Sequence, residues 1–210
     1  MFDAAIAAFV TFFVTIDPIG VAPIFVALTG HATAHERRGM ALRAPAIAAL
    51  ILLVFAVVGN AFLGWLGVSL AAVRIAGGAL LFLLSIDMVL ARRSGLRATT
   101  AAEDAEAIDR EDPTVFPLAI PLIAGPGAIT SVILLIGRYQ GDVTMQGLVV
   151  AVMLAVIGLM LLSLLMAARI TRLLGVTGVN VLSRVLGIVL AALAVQLIID
   201  GVDGVIARFV

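Results

Sequence analysis

The 210-residue chain carries 13 basic and 13 acidic residues and no net charge, while 63% of it is hydrophobic and only 12% charged. Soluble domains run at about 45–50% apolar and about 25% charged, so this composition, with a mean hydropathy of +1.26, excludes a soluble fold and defines a polytopic integral membrane protein. All 13 cations are arginines, no basic run points to nucleic acid, and the lack of cysteine excludes disulfides, thiol catalysis and thiolate metal sites.

A membrane span needs about 20 apolar residues, and six stretches qualify: near 3 to 28, 45 to 66, 70 to 91, 115 to 137, 146 to 168 and 180 to 202. The first has no basic flank and no small-residue cleavage site, so it reads as a retained span rather than a signal peptide.

That first span contains Thr15-Ile16-Asp17-Pro18-Ile19-Gly20-Val21-Ala22-Pro23. A carboxylate in hydrocarbon costs about 2.5 to 3.5 kcal/mol even on lenient scales, and proline frees a carbonyl that protein or water must satisfy. Asp followed by Pro is also a helix start, with an N-cap acceptor and proline at the first helical position. The span is therefore expected as two half-helices, the second beginning at Asp17.

The connections are short except for residues 92 to 114, a polar, acidic, Ala/Thr-rich stretch that divides the chain into halves. The halves resemble each other. Pro18-Ile19-Gly20 matches Pro126-Gly127-Ala128 and Leu66-Gly67-Val68-Ser69 matches Leu174-Gly175-Val176-Thr177, both 108 residues apart; Arg74-Ile75-Ala76-Gly77 matches Arg184-Val185-Leu186-Gly187 at 110. With three spans per half, the second half inserts upside down. The expected organisation is all-helical: residues 1–91 as one three-span repeat, 92–114 as a cytoplasmic linker, and 115–210 as the inverted repeat, with the first and fourth spans broken near the midplane.

Arginine placement orients the chain. The connections after the first, third and fifth spans hold Arg37, Arg38, Arg43, Arg92, Arg93, Arg97, Arg110, Arg169 and Arg172, while the opposite side holds Arg138 and Arg208. Both termini are then extracytoplasmic. A competing topology with the first and fourth segments re-entrant puts Arg169 and Arg172 outside.

In the fourth span Pro113, Pro117 and Pro121 precede Gly125-Pro126-Gly127, and an uninterrupted helix through that run is not expected. Gly125 takes the N-cap position and Pro126 the first helical one. In the inverted arrangement the two half-helix N-termini meet near the bilayer centre, with unpaired N–H groups and partial positive charge for an anionic group and freed carbonyls or Asp17 for a cation. Thr15, Gly20, Ala124, Gly127, Ala128, Thr130 and Ser131 are small or slim, which points to a small zwitterion. Asp17, Pro18, Gly20, Gly125, Pro126 and Gly127 are the candidate substrate-binding residues, with Asp17 the candidate for proton coupling. Packing alone is the competing explanation of the breaks.

Arg74 and Arg184 lie just inside spans, with Asp200 and Asp87 at matching depths. Gating by Arg74 with Asp200 and Arg184 with Asp87 stands beside simple snorkelling to the interface. His31 and His35 have helical spacing but no third ligand. Asn60, Asn180 and Gln196 read as hydrogen-bonding glue between helices. Ala72-x-x-x-Ala76 and Gly187-x-x-x-Ala191 read as close-packing faces. No metal site, cofactor or catalytic set emerges, so an enzyme is not expected.

Phe12-Phe13-x-x-x-Asp17-Pro18-x-Gly20-x-x-Pro23-x-Phe25, the run Phe116-Pro117-Leu118-Ala119-Ile120-Pro121-Leu122-Ile123-Ala124-Gly125-Pro126-Gly127-Ala128-Ile129, and the six-span spacing together resemble the MarC family of bacterial and archaeal inner-membrane proteins. Val21 stands where that family often has Asn. The resemblance implies a cytoplasmic-membrane location, kinship with LysE-type transporters of inverted three-span repeats, and transport of small neutral amino acids such as glycine and alanine. The partners expected are that solute and the lipid bilayer, with a homo-oligomer possible. A passive channel for small neutral solutes and a non-transporting adaptor engaged through residues 92–114 are the alternatives.

Overall fold

The computed structural model describes residues 1–91 and 112–207, so most of the 92–114 linker lies outside the described residues. Among the described residues the protein is all helix: α1 Phe2–Ile16, α2 Pro18–Leu28, α3 Ala34–Trp65, α4 Leu70–Val89, α5 Thr114–Ile123, α6 Pro126–Arg138, α7 Val143–Leu165 and α8 Ala167–Ile206. Five stretches are long and apolar enough to cross a membrane, α1 with α2 counting as one, and the bent pair α5–α6 makes a sixth.

Local chemistry sets the ends. α3 starts eleven residues before the apolar stretch that begins near 45, because Thr33 and Glu36 form a capping box: Glu36 N–H donates to Thr33 Oγ1, and Thr33 N–H donates to Glu36 Oε2 at 2.8 Å. At 1.5 Å per residue α3 is about 48 Å long, against about 30 Å of hydrocarbon, so one end carries Arg37, Arg38 and Arg43 clear of the apolar layer. Ser69 caps α4 by accepting from Ala72 N–H, and Asp142 caps α7 by accepting from Met145 N–H. The turn into the third span of each half is made by a glycine at positive φ, Gly67 at 70° and Gly175 at 61°, a conformation that costs glycine little. Gly175 also interrupts α8, whose membrane-length part is Thr177–Ile206.

The halves interlock. α1 and α2 pack on α7, while α5 and α6 pack on α3; α2 meets α8 as α6 meets α4. The broadest interface joins α4 to α8. A methyl group on Gly78 would come 2.7 Å from the Ala194 carbonyl oxygen, one on Gly201 2.9 Å from that of Ala71, and one on Gly187 3.1 Å from that of Ser85. The small residues thus recur every seven positions on both antiparallel helices, and the backbones meet closely where lipid offers no hydrophobic drive and van der Waals contact must contribute instead. Gly187 belongs to this seam, as its sequence suggested, but the seam's repeat is seven rather than four.

Two buried clusters result. The larger joins α1, α2, α3, α5, α6, α7 and the start of α8 through residues such as Phe12, Phe25, Leu52, Leu118, Met153 and Ala167. The smaller joins α1, α4 and α8 through Val14, Leu81, Leu84, Met88, Leu190 and Ala194. Val14 and Ile16, two residues apart at the end of α1, belong to different clusters, so the first interruption lies where they meet.

Candidate functional site

Asp17 separates α1 from α2 with φ 54° and ψ 65°, a left-handed conformation that Asp tolerates better than most side chains. Its N–H donates to the Phe13 carbonyl at 3.0 Å, closing α1, and its own carbonyl accepts from Val21 N–H at 3.1 Å. The carboxylate Oδ1 accepts from Gly20 N–H at 3.0 Å, which is the N-cap expected of an Asp-Pro start. A methyl group on Gly20 would stand 2.2 Å from Asp17 Oδ2, so Asp17, Pro18 and Gly20 work as one unit: carboxylate, fixed φ without a donor, and room for the carboxylate to fold back. Asp17 is only 3% exposed. From α7, the Ser163 hydroxyl donates to the Pro18 carbonyl.

The second interruption is built differently. Phe116 and Ile120, the residues before Pro117 and Pro121, are extended at φ/ψ of −126°/126° and −131°/128°, and both Phe116–Pro117 and Ile120–Pro121 peptide bonds are cis. The remaining backbone bonds span five residues, Leu118 N–H to the Pro113 carbonyl and Ala124 N–H to that of Ala119. The stretch before the break is therefore a widened, twice-extended coil rather than a half-helix like α1. Gly125 is extended, Pro126 opens α6, and the chain bends by 53°. A side chain at 125 would meet the Pro121 carbonyl oxygen at 2.3 Å, so glycine is required to make the turn.

Gly127 is where the two interruptions meet. A methyl group there would lie 4.0 Å from Thr15 Cβ on α1 and 3.1 Å from Cδ2 of both Leu81 and Leu84 on α4. Thr15 Oγ1 donates to the Thr11 carbonyl and Ser131 Oγ to the Gly127 carbonyl, each at 2.8 Å, and both side chains are buried. Gly125 and Gly127 are buried, whereas Pro126 is exposed. The two N-termini are unlike. α2 is capped by the Asp17 carboxylate at Gly20 N–H, while α6 has no side-chain cap.

The proposed gating residues are not joined as ion pairs here. Arg74 lies beside Gly201, whose added methyl would be 3.1 Å from Arg74 Cβ, but Asp200 accepts from Gln196 Nε2 at 2.7 Å. Among the described residues the one ion pair within 4 Å is Arg43 with Asp112, at 3.9 Å and well exposed; neither Arg74 with Asp200 nor Arg184 with Asp87 reaches that distance. Asn60 Nδ2 donates to the Ile133 carbonyl at 3.1 Å, fastening α3 to α6 as its reading as helix glue implies. Two cavities lie away from the interruptions: about 240 Å³ along Phe82, Ser85, Ile86, Val89, Leu90 and Ala191, and about 150 Å³ beside Asn60, Gly64 and Gln140.

Five or six apolar helical spans, with one left-handed aspartate and one proline-unwound segment brought together in the interior, define a multi-pass integral membrane protein with interrupted spans. The sequence model of the MarC family integral membrane proteins matches residues 2–206, and the chain belongs to that family. It is 44% identical to a UPF0056 membrane protein of Archaeoglobus fulgidus, over 93% of this chain and 90% of the relative. Similarity to the UPF0056 inner membrane protein YhgN of Escherichia coli K12 is 36% over 94% and 95% of the two chains, and to the UPF0056 membrane protein YvbG of Bacillus subtilis 34% over 97% and 96%. No solved structure matches significantly.

Proposed function

We propose that the protein is a secondary transporter in the cytoplasmic membrane, moving a small neutral amino acid of the glycine and alanine class by alternating access through a site between the two interruptions. The observation that carries this reading is the approach of Gly127 to Thr15, which brings the uncapped start of α6 against the last turn of α1.

The two sides of that meeting have opposite chemistry. First-turn N–H groups of α6 and the positive end of its dipole suit a carboxylate. Across from them, the final carbonyls of α1 are acceptors, and Pro18 has no N–H to take up that of Val14; with the Asp17 carboxylate they suit an ammonium group. A zwitterion then lies with its carboxylate toward Gly127 and Ala128 and its ammonium toward Asp17, and the small residues around it admit only a small side chain.

Alternating access needs two halves that rock against each other, and we read them as inverted repeats. The matched positive-φ glycines Gly67 and Gly175, and a packing scheme that maps onto itself when the halves are exchanged, support this. The arginine-rich connections are then cytoplasmic and the termini extracytoplasmic. Arg74 with Asp200 and Arg184 with Asp87 enter the scheme as gates made in other states of the cycle.

The test is counterflow in proteoliposomes. Vesicles preloaded with unlabelled glycine or alanine should accelerate entry of the labelled solute, with and without a pH gradient. Entry without acceleration indicates a channel, and no entry of glycine, alanine or serine overturns the amino-acid assignment.

A further inference from the structure

Between α7 and the long part of α8 the chain makes a short helical stretch, residues 167–174, that ends at the positive φ of Gly175. One side is held to protein: Ala167 is buried in the larger cluster and Ile170 packs against it. The other carries Ala168, Arg169, Arg172 and Leu173, whose i, i+1, i+4, i+5 spacing puts them on one helical face. All four are exposed, Leu173 to 85%, and the preceding Met166 is 45% exposed. Two guanidinium groups beside large bare apolar side chains suit neither water nor hydrocarbon alone; they match the headgroup layer, where the apolar groups sink and the cations stay with phosphate.

The corresponding turn of the first half gives an internal comparison. Around Gly67 the apolar groups are bare too, Trp65 at 82% and Leu66 at 52%, yet residues 61–68 carry no charge. Apolar insertion is thus common to both turns, and the arginines are particular to the second. A guanidinium pairs with phosphate through two parallel N–H donors, and Arg169 and Arg172, three residues apart, are neighbours on the helix surface.

We propose that Arg169 and Arg172 bind the headgroup of an anionic phospholipid, with Leu173 and Met166 seated among the upper acyl carbons. This stands independently of the transport reading. The full-length protein, purified in detergent and exposed to equimolar phosphatidylglycerol and phosphatidylcholine, should retain phosphatidylglycerol in preference, by about fivefold per arginine in native mass spectrometry. R169Q and R172Q should each lower that preference by about fivefold and the double variant should lower it further, with thermal stability in detergent unchanged. Equal retention of the two lipids by the wild type, a preference unchanged by the double substitution, or loss of the bound lipid to excess inorganic phosphate would overturn the proposal.

Discussion

Gly20 lies against the Asp17 carboxylate so closely that any side chain at 20 would collide with the cap: a methyl group would be 2.2 Å from Oδ2 and 2.8 Å from Cγ. Gly20→Ala should therefore push the carboxylate off the Gly20 N–H and cost about 1 kcal/mol, the usual worth of an N-cap, together with at least a tenfold loss of solute exchange. Asp17→Asn keeps an acceptor and the tolerance for left-handed φ, so its stability should stay within about 1 kcal/mol of wild type. Its exchange should nevertheless fall at least tenfold, since the ammonium loses its counter-charge. Thermal unfolding in detergent and proteoliposome exchange separate the two effects; an Asp17→Asn variant with wild-type exchange would leave the carboxylate a purely structural part.

At the meeting of the interruptions, a methyl group on Gly127 would touch only the ends of two leucines at 3.1 Å and Thr15 Cβ at 4.0 Å. Those leucine termini can give way, so Gly127→Ala should fold with a cost of about 1 kcal/mol or less. It should still raise the KM for alanine several-fold more than that for glycine, because the added carbon stands beside the Thr15 turn where the larger substrate needs room. Equal effects on the two solutes would place the binding site elsewhere.

Along the seam of α4 and α8, the obstacle to a larger side chain is backbone. Gly78→Ala meets the Ala194 carbonyl oxygen at 2.7 Å, and separating the helices should cost about 1 to 3 kcal/mol. Gly158, mid-way along α7 with nothing within 4 Å of an added methyl, is the control: Gly158→Ala should be neutral or stabilising by up to about 1 kcal/mol. Unfolding by sodium dodecyl sulfate titration reads both, and equal responses would mean that the seam is not tightly packed.

Much of the chain's organisation follows from its own order of residues, because the causes are local. Five spans, and a sixth if the bent pair α5–α6 is one, follow from hydropathy, and the interruptions from Asp17-Pro18 and the proline run before Gly125. The capping box carried by Thr33 and Glu36 starts α3 eleven residues before the apolar stretch near 45, and hydropathy by itself does not reach those polar turns. The α4–α8 seam was less legible. Small residues are common in apolar helices, and a seven-residue repeat of Ala71, Gly78 and Ser85 identifies a contact only when Gly187, Ala194 and Gly201 are known to run past it in the opposite direction.

Composition and local backbone chemistry alone thus determined that this is a membrane protein of interrupted helices, with a carboxylate capping one break and prolines unwinding the other. Only the tertiary structure decided that Gly127 comes to rest beside Thr15 and that Asp200 is engaged by Gln196 rather than by Arg74. Hydropathy and proline act within a turn or two of the chain. Which interruption meets which depends on how α1 and α2 pack on α7, across more than a hundred residues of sequence, and α5 and α6 on α3, across about fifty or more.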